Sequence, residues 1–97
     1  MAEAVAEAIR AKRFEVVDAA GAVRAALTVD EEGMPGLTLS DEDGNARAAL
    51  ILGKEGIPRL NLLSKTGMVR ASLGFGSDWK VQLVLTDTNM QAIWSAP

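Results

Sequence analysis

Hydrophobic and polar residues alternate along most of this chain from Phe14 onward. The longest alternating runs are Val23–Val29, Ala46–Leu52 and Val69–Phe75, and shorter runs separate them. Alternation with a period of two places apolar side chains on one face of a β-strand and polar side chains on the other. The pattern therefore predicts a mainly β protein of seven or eight strands, each with one apolar face.

The alternating runs themselves repeat with a period of 23 residues. Apolar residues keep this spacing at Phe14, Leu37, Leu60 and Leu83. The dipeptide Arg-Ala also keeps it and begins at Arg24, Arg47 and Arg70. Self-similarity at a fixed period is the sequence signature of a repeat architecture.

Each repeat carries two turn signals. One set lies at residues 18–21, 41–44 and 64–67, beginning with Asp or Ser and ending with Gly, and the other lies at 30–33 and 53–56. Asp followed three residues later by Gly is typical of a type I turn that ends in a left-handed residue. A turn every 11 or 12 residues leaves room for one strand, so each repeat is interpreted as a β-hairpin and the chain as an antiparallel meander. A solenoid with one coil per repeat is the alternative.

The first residues follow a different pattern. Residues 2–12 contain neither glycine nor proline, and Val5 and Ile9 would share one helical face. We predict a short helix within residues 1–13, followed by a β-repeat region over residues 14–97, the two forming one domain. Because about eleven residues make a marginal helix in water, this helix needs a surface on which to dock.

Composition narrows the ways in which so small a chain can be stabilised. The chain has 97 residues and contains neither cysteine nor histidine. Domains of this size have marginal cores and usually depend on disulfides, metals or partner chains. The lack of cysteine and histidine removes disulfides and most metal sites, so self-association is the remaining source of stability.

The predicted sheet has a wider apolar face than the rest of the chain can cover. Eight strands about 4.8 Å apart form a sheet roughly 35–40 Å wide, whereas an eleven-residue helix is only about 16 Å long. We therefore expect sheets to pack together in a homo-oligomer, with a trimeric prism preferred and a two-sheet dimer next. The alternative is a closed eight-stranded up-and-down barrel, although the repeat shows no sign of the bulges with which barrels turn corners. The predicted oligomer core consists of Leu27, Leu37, Leu50, Leu60, Leu73 and Leu83.

Charge and hydropathy argue against two kinds of partner. The formal net charge is −3 and the isoelectric point is near 4.8, which disfavours nonspecific binding to nucleic acid. No run of about 18 apolar residues is present, so we expect no membrane span. The first residues, interrupted by Glu3 and Glu7, do not resemble a signal peptide, and the expected location is cytoplasmic.

Four residues are candidates for surface interactions. Arg24, Arg47 and Arg70 would form a row on alternate strands, roughly 10 Å apart. This row could bind an anionic polymer, but acidic residues outnumber basic ones, so we favour ion pairs within the sheet. The candidate acidic partners are Asp18, Asp41, Glu15 and Glu31. Trp79, in a turn where the repeat has glycine, could mark a binding site; we favour a structural role for it, in plugging an assembly or closing the last hairpin.

The sequence contains no pattern typical of catalysis or metal binding. Residues 41–45 begin like a calcium loop, but the glycine is fourth instead of sixth and Leu52 stands at the twelfth position. The serines have no histidine partner, and the adjacent Ser64 and Lys65 belong to a repeat turn. We therefore predict no catalytic residues, no metal and no cofactor, and interpret the protein as non-enzymatic.

The recurring unit Asp-x-x-Gly-x-x-Arg-Ala-x-Leu carries a resemblance to known repeats. It occurs at residues 18–27 and 41–50, and at 64–73 with Ser in first position. These units resemble the repeats of small uncharacterised bacterial proteins, some of them on phages or mobile gene cassettes, over roughly residues 9–87. The resemblance implies a strand–turn–strand architecture and no activity. The hairpin period is also similar to that of MORN repeats, whose Tyr and Trp signature is absent here.

Two functions fit these observations. The first is a self-assembling β-repeat protein with a structural or interaction role, such as a fibre or stalk segment. The second is a small-molecule-binding barrel whose cavity would be lined by Leu27, Leu37, Leu50, Leu60 and Leu73. An enzyme with a groove at a subunit interface is a third hypothesis, which no residue pattern favours. The mass of the particle in solution separates the first two functions, because only the barrel covers its apolar face within one chain.

Overall fold

One antiparallel sheet makes up nearly all of the structure, a computed structural model that describes residues 5–89 and 91–97. The strands lie in the order of the sequence, each beside the next. They are β1 (Arg13–Val17), β2 (Val23–Val29), β3 (Pro35–Ser40), β4 (Ala46–Leu52), β5 (Pro58–Leu63), β6 (Val69–Phe75), β7 (Val81–Thr86) and β8 (Ala92–Ala96). A short 3₁₀ turn, Lys54–Gly56, separates β4 from β5. The predicted meander is confirmed, and the solenoid alternative is wrong because every strand pairs antiparallel to its neighbour.

The strand register keeps the leucines of the repeat on one face. A middle row crosses the sheet through Phe14, Leu27, Leu37, Leu50, Leu60, Leu73, Leu83 and Ala96. A parallel row runs through Val16, Ala25, Leu39, Ala48, Leu62, Ala71, Leu85 and Trp94. Because successive residues of a strand point to opposite faces, both rows lie on one face, called the leucine face below. The residues between them form the polar face.

Backbone hydrogen bonds close the turns in the predicted way, and where a turn begins with Asp or Ser the side chain of that residue adds to them. In the 41–44 turn, the Gly44 N–H donates to the carbonyl oxygen of Asp41 at 3.1 Å. The Asp41 Oδ1 accepts the backbone N–H of Asp43 at 3.0 Å and that of Asn45 at 2.9 Å. Gly44 has a φ of 87°, a conformation that glycine adopts at little steric cost. The same conformation recurs at the corresponding position of other turns, at Gly21, Gly33, Gly56 and Gly67.

The turns divide between two opposite margins of the sheet. Those at 18–21, 41–44 and 64–67 lie along one margin, and those at 30–33, 53–56 and 76–79 lie along the other. Beside the first set, Val16 pairs with Ala25 but Val17 pairs with Val23, so Arg24 has no opposite residue. The same shift recurs later in the sheet, at Arg47, Arg70 and Ile93. We call the side with the register shifts the bulged margin and the opposite side the plain margin.

The repeated register shift overturns one expectation from the sequence. Each shift is a β-bulge, which bends its strand and increases the local twist. The repeat was expected to lack bulges, and that expectation is wrong: every hairpin contains one. Alternation of apolar and polar residues continues through the bulge, so the residue pattern alone hides it.

The closed-barrel alternative is also wrong, because the sheet is open. β1 pairs only with β2, and β8 pairs only with β7. The described residues therefore enclose no barrel interior, and the leucines proposed to line one lie on an open face.

The predicted N-terminal helix is wrong for the residues that the structure describes. Residues 5–12 contain no helix, and residues 1–4 lie outside the described range. Val5 and Ile9, the apolar residues of the predicted helical face, are 91% and 74% exposed. A helix of this length needs a docking surface, and these exposures show that the single chain provides none.

The single chain has almost no hydrophobic core. Ala26 is the one hydrophobic residue buried among those described, at 9% exposed. The radius of gyration is 16.5 Å, whereas a compact chain of this length has about 13 Å. The accessible surface is 7523 Å², about 2,200 Å² more than a compact monomer of this mass exposes. The fold of one chain thus leaves a complete apolar layer uncovered.

Candidate functional site

The leucine face is the largest candidate interaction surface. Of the predicted core residues, Leu27, Leu37, Leu50, Leu60 and Leu73 are between 38% and 50% exposed. The sixth, Leu83, is partly buried beside Leu73. The strand register therefore brings all six together in the middle row. A typical monomer exposes apolar patches of at most a few hundred Å², and an apolar face that spans eight strands is much larger.

Side-chain size varies across the leucine face. The middle row has leucine in every strand from β2 to β7. Toward the bulged margin, leucine alternates with alanine, at Ala25, Ala48 and Ala71. Toward the plain margin, the paired residues are Val29 with Pro35, Leu52 with Pro58, and Phe75 with Val81. Bulk is therefore most regular along the middle, whereas the margins mix small or rigid residues with large ones such as Leu52 and Phe75.

Each arginine of the predicted row joins two neighbouring hairpins. The Arg24 Nε donates to the carbonyl oxygen of Ser40 at 2.8 Å. Arg47 makes the same bond to Leu63 at 3.0 Å, and Arg70 makes it to Thr86 at 2.9 Å. In each case the arginine lies at the bulge of one strand, and the carbonyl group lies at the end of the next. The sequence interpretation did not include these bonds, because it had no bulge to create them.

Two of the arginines also pair with the aspartate of their own hairpin. The closest N–O distances are 3.6 Å for Arg24 with Asp18 and 3.8 Å for Arg47 with Asp41. These are two of the four predicted acidic partners. Glu15 instead contacts Arg13 on its own strand at 2.6 Å, and Glu31 forms no ion pair within the described residues.

Hydrogen bonding also changes the acidity of the turn aspartate Asp41. The backbone N–H of Asn45 lowers the pKa of Asp41 below its ordinary value of 3.8. Desolvation is the second-largest effect on this pKa and opposes the lowering, while the Asn45 side-chain amide, the Asp43 N–H and the Arg47 charge add smaller effects that lower it. Each donor favours the ionised carboxylate, so this turn is organised around a charged Asp41.

The third repeat unit lacks this aspartate. Ser64 replaces it, and the Ser64 Oγ accepts the Met68 N–H at 3.3 Å while lying 3.0 Å from the Thr66 Oγ1. Within residues 5–89 and 91–97, Arg70 forms no ion pair, and its side chain donates only through Nε. Its two terminal amino groups therefore stay available at the bulged margin.

Trp79 has the backbone conformation of a turn glycine. Its φ is 62°, and its N–H donates to the carbonyl oxygen of Gly76 at 2.9 Å. A bulky residue in this left-handed region is an outlier that costs roughly 1–2 kcal/mol. The indole lies against Phe75 with ring centroids 5.7 Å apart, yet Trp79 remains 54% exposed. Trp79 thus extends the leucine face at the plain margin without being covered itself.

The second tryptophan lies in the last strand of the sheet. Trp94 pairs with Leu85 in β8 and is about half exposed on the leucine face.

A further arginine contact lies on the polar face and was not predicted from the repeat pattern. Arg59 crosses from β5 to β6, with Nη1 donating to the Ser72 Oγ at 3.2 Å and Nη2 to the Phe75 carbonyl oxygen at 3.3 Å. Below it, a Cβ on Gly74 would lie 2.9 Å from the carbonyl oxygen of Pro58. A glycine inside an alternating run is the signal for such a close approach.

The described residues show no arrangement suited to metal chemistry. They contain no group of three or more His, Cys, Asp or Glu side chains that could hold a metal ion. Within the same ranges, no helix has the length and apolar character needed to cross a membrane.

Comparisons with known proteins do not assign the chain to a family. No protein-family model matches it, and no curated protein matches it. The resemblance of its Asp-x-x-Gly units to the repeats of small bacterial proteins therefore stays a prediction.

Proposed function

We propose that this protein is a non-enzymatic structural protein whose leucine face packs on copies of the same chain. The observation that carries this proposal is the open apolar sheet without a core. The surface in excess of a compact monomer is about 2,200 Å² per chain, and part of it belongs to the exposed residues 5–12. Standard interfaces take about 800 Å² from each partner, so the excess is large enough to include an interface of that size. A second copy is the natural cover, because its leucine face has the same width and strand spacing.

A three-sided prism fits the dimensions of the sheet when the strands run across its sides. Packed sheets lie about 10 Å apart, so each sheet supplies side chains over about 5 Å. If the sides are the strands, five to seven residues long, the prism axis lies about 5–7 Å from each sheet. If the sides were instead the full eight-strand width, that distance would be about 10–11 Å and would leave a hollow centre. The first arrangement lets the middle leucine rows meet.

The distribution of side-chain size supports three sheets over two. At a corner of a three-sided prism two sheets converge, so their margins need smaller side chains than their middles. Alanine alternates with leucine toward the bulged margin, and at the plain margin Pro35 and Pro58 alternate with larger residues, so a small or rigid residue recurs in every second strand there, whereas the middle row has leucine in each strand from β2 to β7. Two parallel sheets in a dimer have an even spacing that does not require this difference.

The prism would act as a rigid spacer or stalk, or as a platform that presents its polar face to other molecules. The mass of the particle, measured by light scattering after size exclusion, tests the proposal. We expect about three times 10.2 kDa. A mass of 10.2 kDa would overturn self-assembly, and twice that mass would overturn the three-sided arrangement.

A charge placed on the leucine face tests whether this face is the contact surface. Leu73→Asp places a carboxylate in the middle row, where burial of an unpaired charge is costly, so we expect loss of assembly and of cooperative unfolding. Ser72→Asp is the matched control, because it adds the same charge one residue away on the polar face, beside Arg59. Equal loss of assembly in both variants would contradict the proposal.

A further inference from the structure

The third repeat unit departs from the others at both margins of the sheet. At the bulged margin, Ser64 replaces the aspartate that pairs with the arginine of the first two units, and Arg70 has no ion pair within the described residues. At the plain margin, Trp79 replaces the turn glycine and holds a strained left-handed backbone. A single chain explains neither departure, because Arg70 gains no ion pair from it and the indole of Trp79 stays more than half exposed.

These two departures lie at nearly the same height in the stack of strands. Arg70 belongs to β6, and Trp79 lies in the turn between β6 and β7. Their heights therefore differ by less than one strand spacing, about 4.8 Å. In a three-sided prism with one rotation axis, the plain margin of each copy meets the bulged margin of the next at the same height.

We propose that Trp79 of one copy binds Arg70 of the next copy at each corner of the assembly. This inference rests on the proposed three-sided function and names the contact that holds its corners. The Arg70 Nε stays bonded to the Thr86 carbonyl oxygen, which fixes the guanidinium plane and leaves its terminal amino groups for the partner. A guanidinium over an indole ring is among the stronger cation–π pairs.

The charges beside the two residues leave this pairing unopposed. Lys65 lies in the turn before Arg70, and no acidic residue occurs in the 64–67 turn. Trp79 lies between Asp78 and Lys80, whose charges offset each other. The pairing therefore depends on the guanidinium of one copy and the indole of the other. The contact also accounts for the strained turn, because strain persists where the surrounding structure gains from it.

The two residues cannot contact each other within one chain. Arg70 is the second residue of β6, at the bulged margin, and Phe75, on which Trp79 packs, ends the same strand. Five residues of extended strand separate them by about 17 Å. Sites so far apart have additive effects on stability, so any energetic coupling between Arg70 and Trp79 must arise between copies.

A double-mutant cycle on trimer dissociation tests the contact. The variants are Trp79→Gly, Arg70→Ala and the pair, with the dissociation constant measured by sedimentation across a dilution series. Trp79→Gly restores the residue of the repeat and relieves the strained φ, so the chain is expected to fold. We expect each single change to raise the dissociation constant of the trimer. When the first change is already present, the second is expected to raise this constant by a factor at least about tenfold smaller than it does alone.

Two controls isolate the corner contact. Arg47 makes the same backbone bond one repeat away, so Arg47→Ala combined with Trp79→Gly is expected to be additive. Among residues 5–89 and 91–97, Glu55 is the other non-glycine residue with a positive φ, at 61°, and Glu55→Gly is expected to leave the dissociation constant unchanged.

The outcomes separate this inference from the proposed function. Additive effects of Arg70→Ala and Trp79→Gly in a stable trimer would overturn the corner contact and leave the assembly standing. Coupling of Trp79 to Arg47 in place of Arg70 would also overturn it, because the margins would then meet at another height. A wild-type protein that is monomeric at all concentrations would overturn the proposed function itself.

Discussion

Gly74 shows how closely the backbones approach on the polar face of this sheet. It lies beneath the Arg59 side chain, between β5 and β7, where a Cβ would come within 2.9 Å of a carbonyl oxygen. Real side chains do not tolerate such a distance, so either the strand or Arg59 must move. An apparently plain position inside an alternating run is therefore fixed by its neighbours.

We expect Gly74→Ala to lower the free energy of unfolding by about 1–3 kcal/mol, the usual cost of overpacking. Urea titration followed by tryptophan fluorescence measures it. Gly53→Ala is the control, because a Cβ there meets nothing closer than 3.6 Å. Equal losses in the two variants would show that the crowding beneath Arg59 is not the cause.

Asp41 gives the protein a pH dependence that can be assigned to one residue. Because its pKa is lowered in the folded protein, the folded state holds the proton less tightly than the unfolded state. The carboxylate therefore contributes stability above about pH 4, and that contribution disappears as the pH falls through this region.

We expect Asp41→Asn to flatten the fall in stability between about pH 5 and pH 3. Urea titrations across this range measure the slope. Asp43→Asn is the control, since the Asp43 carboxylate accepts no hydrogen bond within the described residues. If both variants keep the full acid slope, the turn network around Asp41 is not its source.

At the scale of the element, the repeating unit is a hairpin with one bulge and one arginine. The arginine at the bulge bonds to the carbonyl group that ends the next strand, so each hairpin is fastened to its successor by a side chain as well as by the strand ladder. Such a bond carries a charged donor and is stronger than an exposed ion pair.

We expect Arg47→Met, which keeps the aliphatic stem, to cost about 1 kcal/mol through loss of the bond to Leu63. Arg13→Met is the comparison, because Arg13 pairs only with Glu15 on the exposed edge strand, and such pairs contribute a few tenths of a kcal/mol. Chemical unfolding of both variants measures the difference, and an Arg47 variant no weaker than the Arg13 variant would contradict a bond between hairpins.

Much of the element scale was predictable from the residues. Alternation located the strands and Asp-x-x-Gly located the turns, because both depend on neighbours in sequence. The bulge was not predicted, although the period of 23 residues, an odd number, indicates it. The strand with the bulge has one extra residue: β3 and β5 have six residues, and β4 and β6 have seven. Two equal strands with equal turns would repeat with an even period. The arginine bonds depend on the bulge and were missed with it.

The helix prediction failed for a reason of larger scale. Alanine favours a helix locally, but about eleven residues need tertiary contact to remain helical. Every residue from 5 to 12 is exposed in one chain, so none of them packs into a core. The alternation of apolar and polar residues also does not predict whether the sheet is open or closed, because identical repeats show the same alternation in a barrel and in a prism.

At the scale of the whole molecule, folding and assembly are expected to be one process. A single chain buries almost none of its apolar residues, and marginal chains gain stability from whatever binds only the folded state. The thermal midpoint should therefore rise with protein concentration. Calorimetry over a hundredfold range of concentration measures this, and a constant midpoint would mean that one chain is stable alone.

The strand order has a consequence for the length of the protein. Each strand hydrogen-bonds only to the strands before and after it in sequence. Each hairpin carries its own bulge and turn, and the first three carry an arginine at the bulge. Deleting or duplicating 23 residues would therefore remove or add one complete layer of two strands and leave every other pairing intact. The length of the sheet therefore changes in steps of about 10 Å, and recombination between copies of the repeat unit can change it.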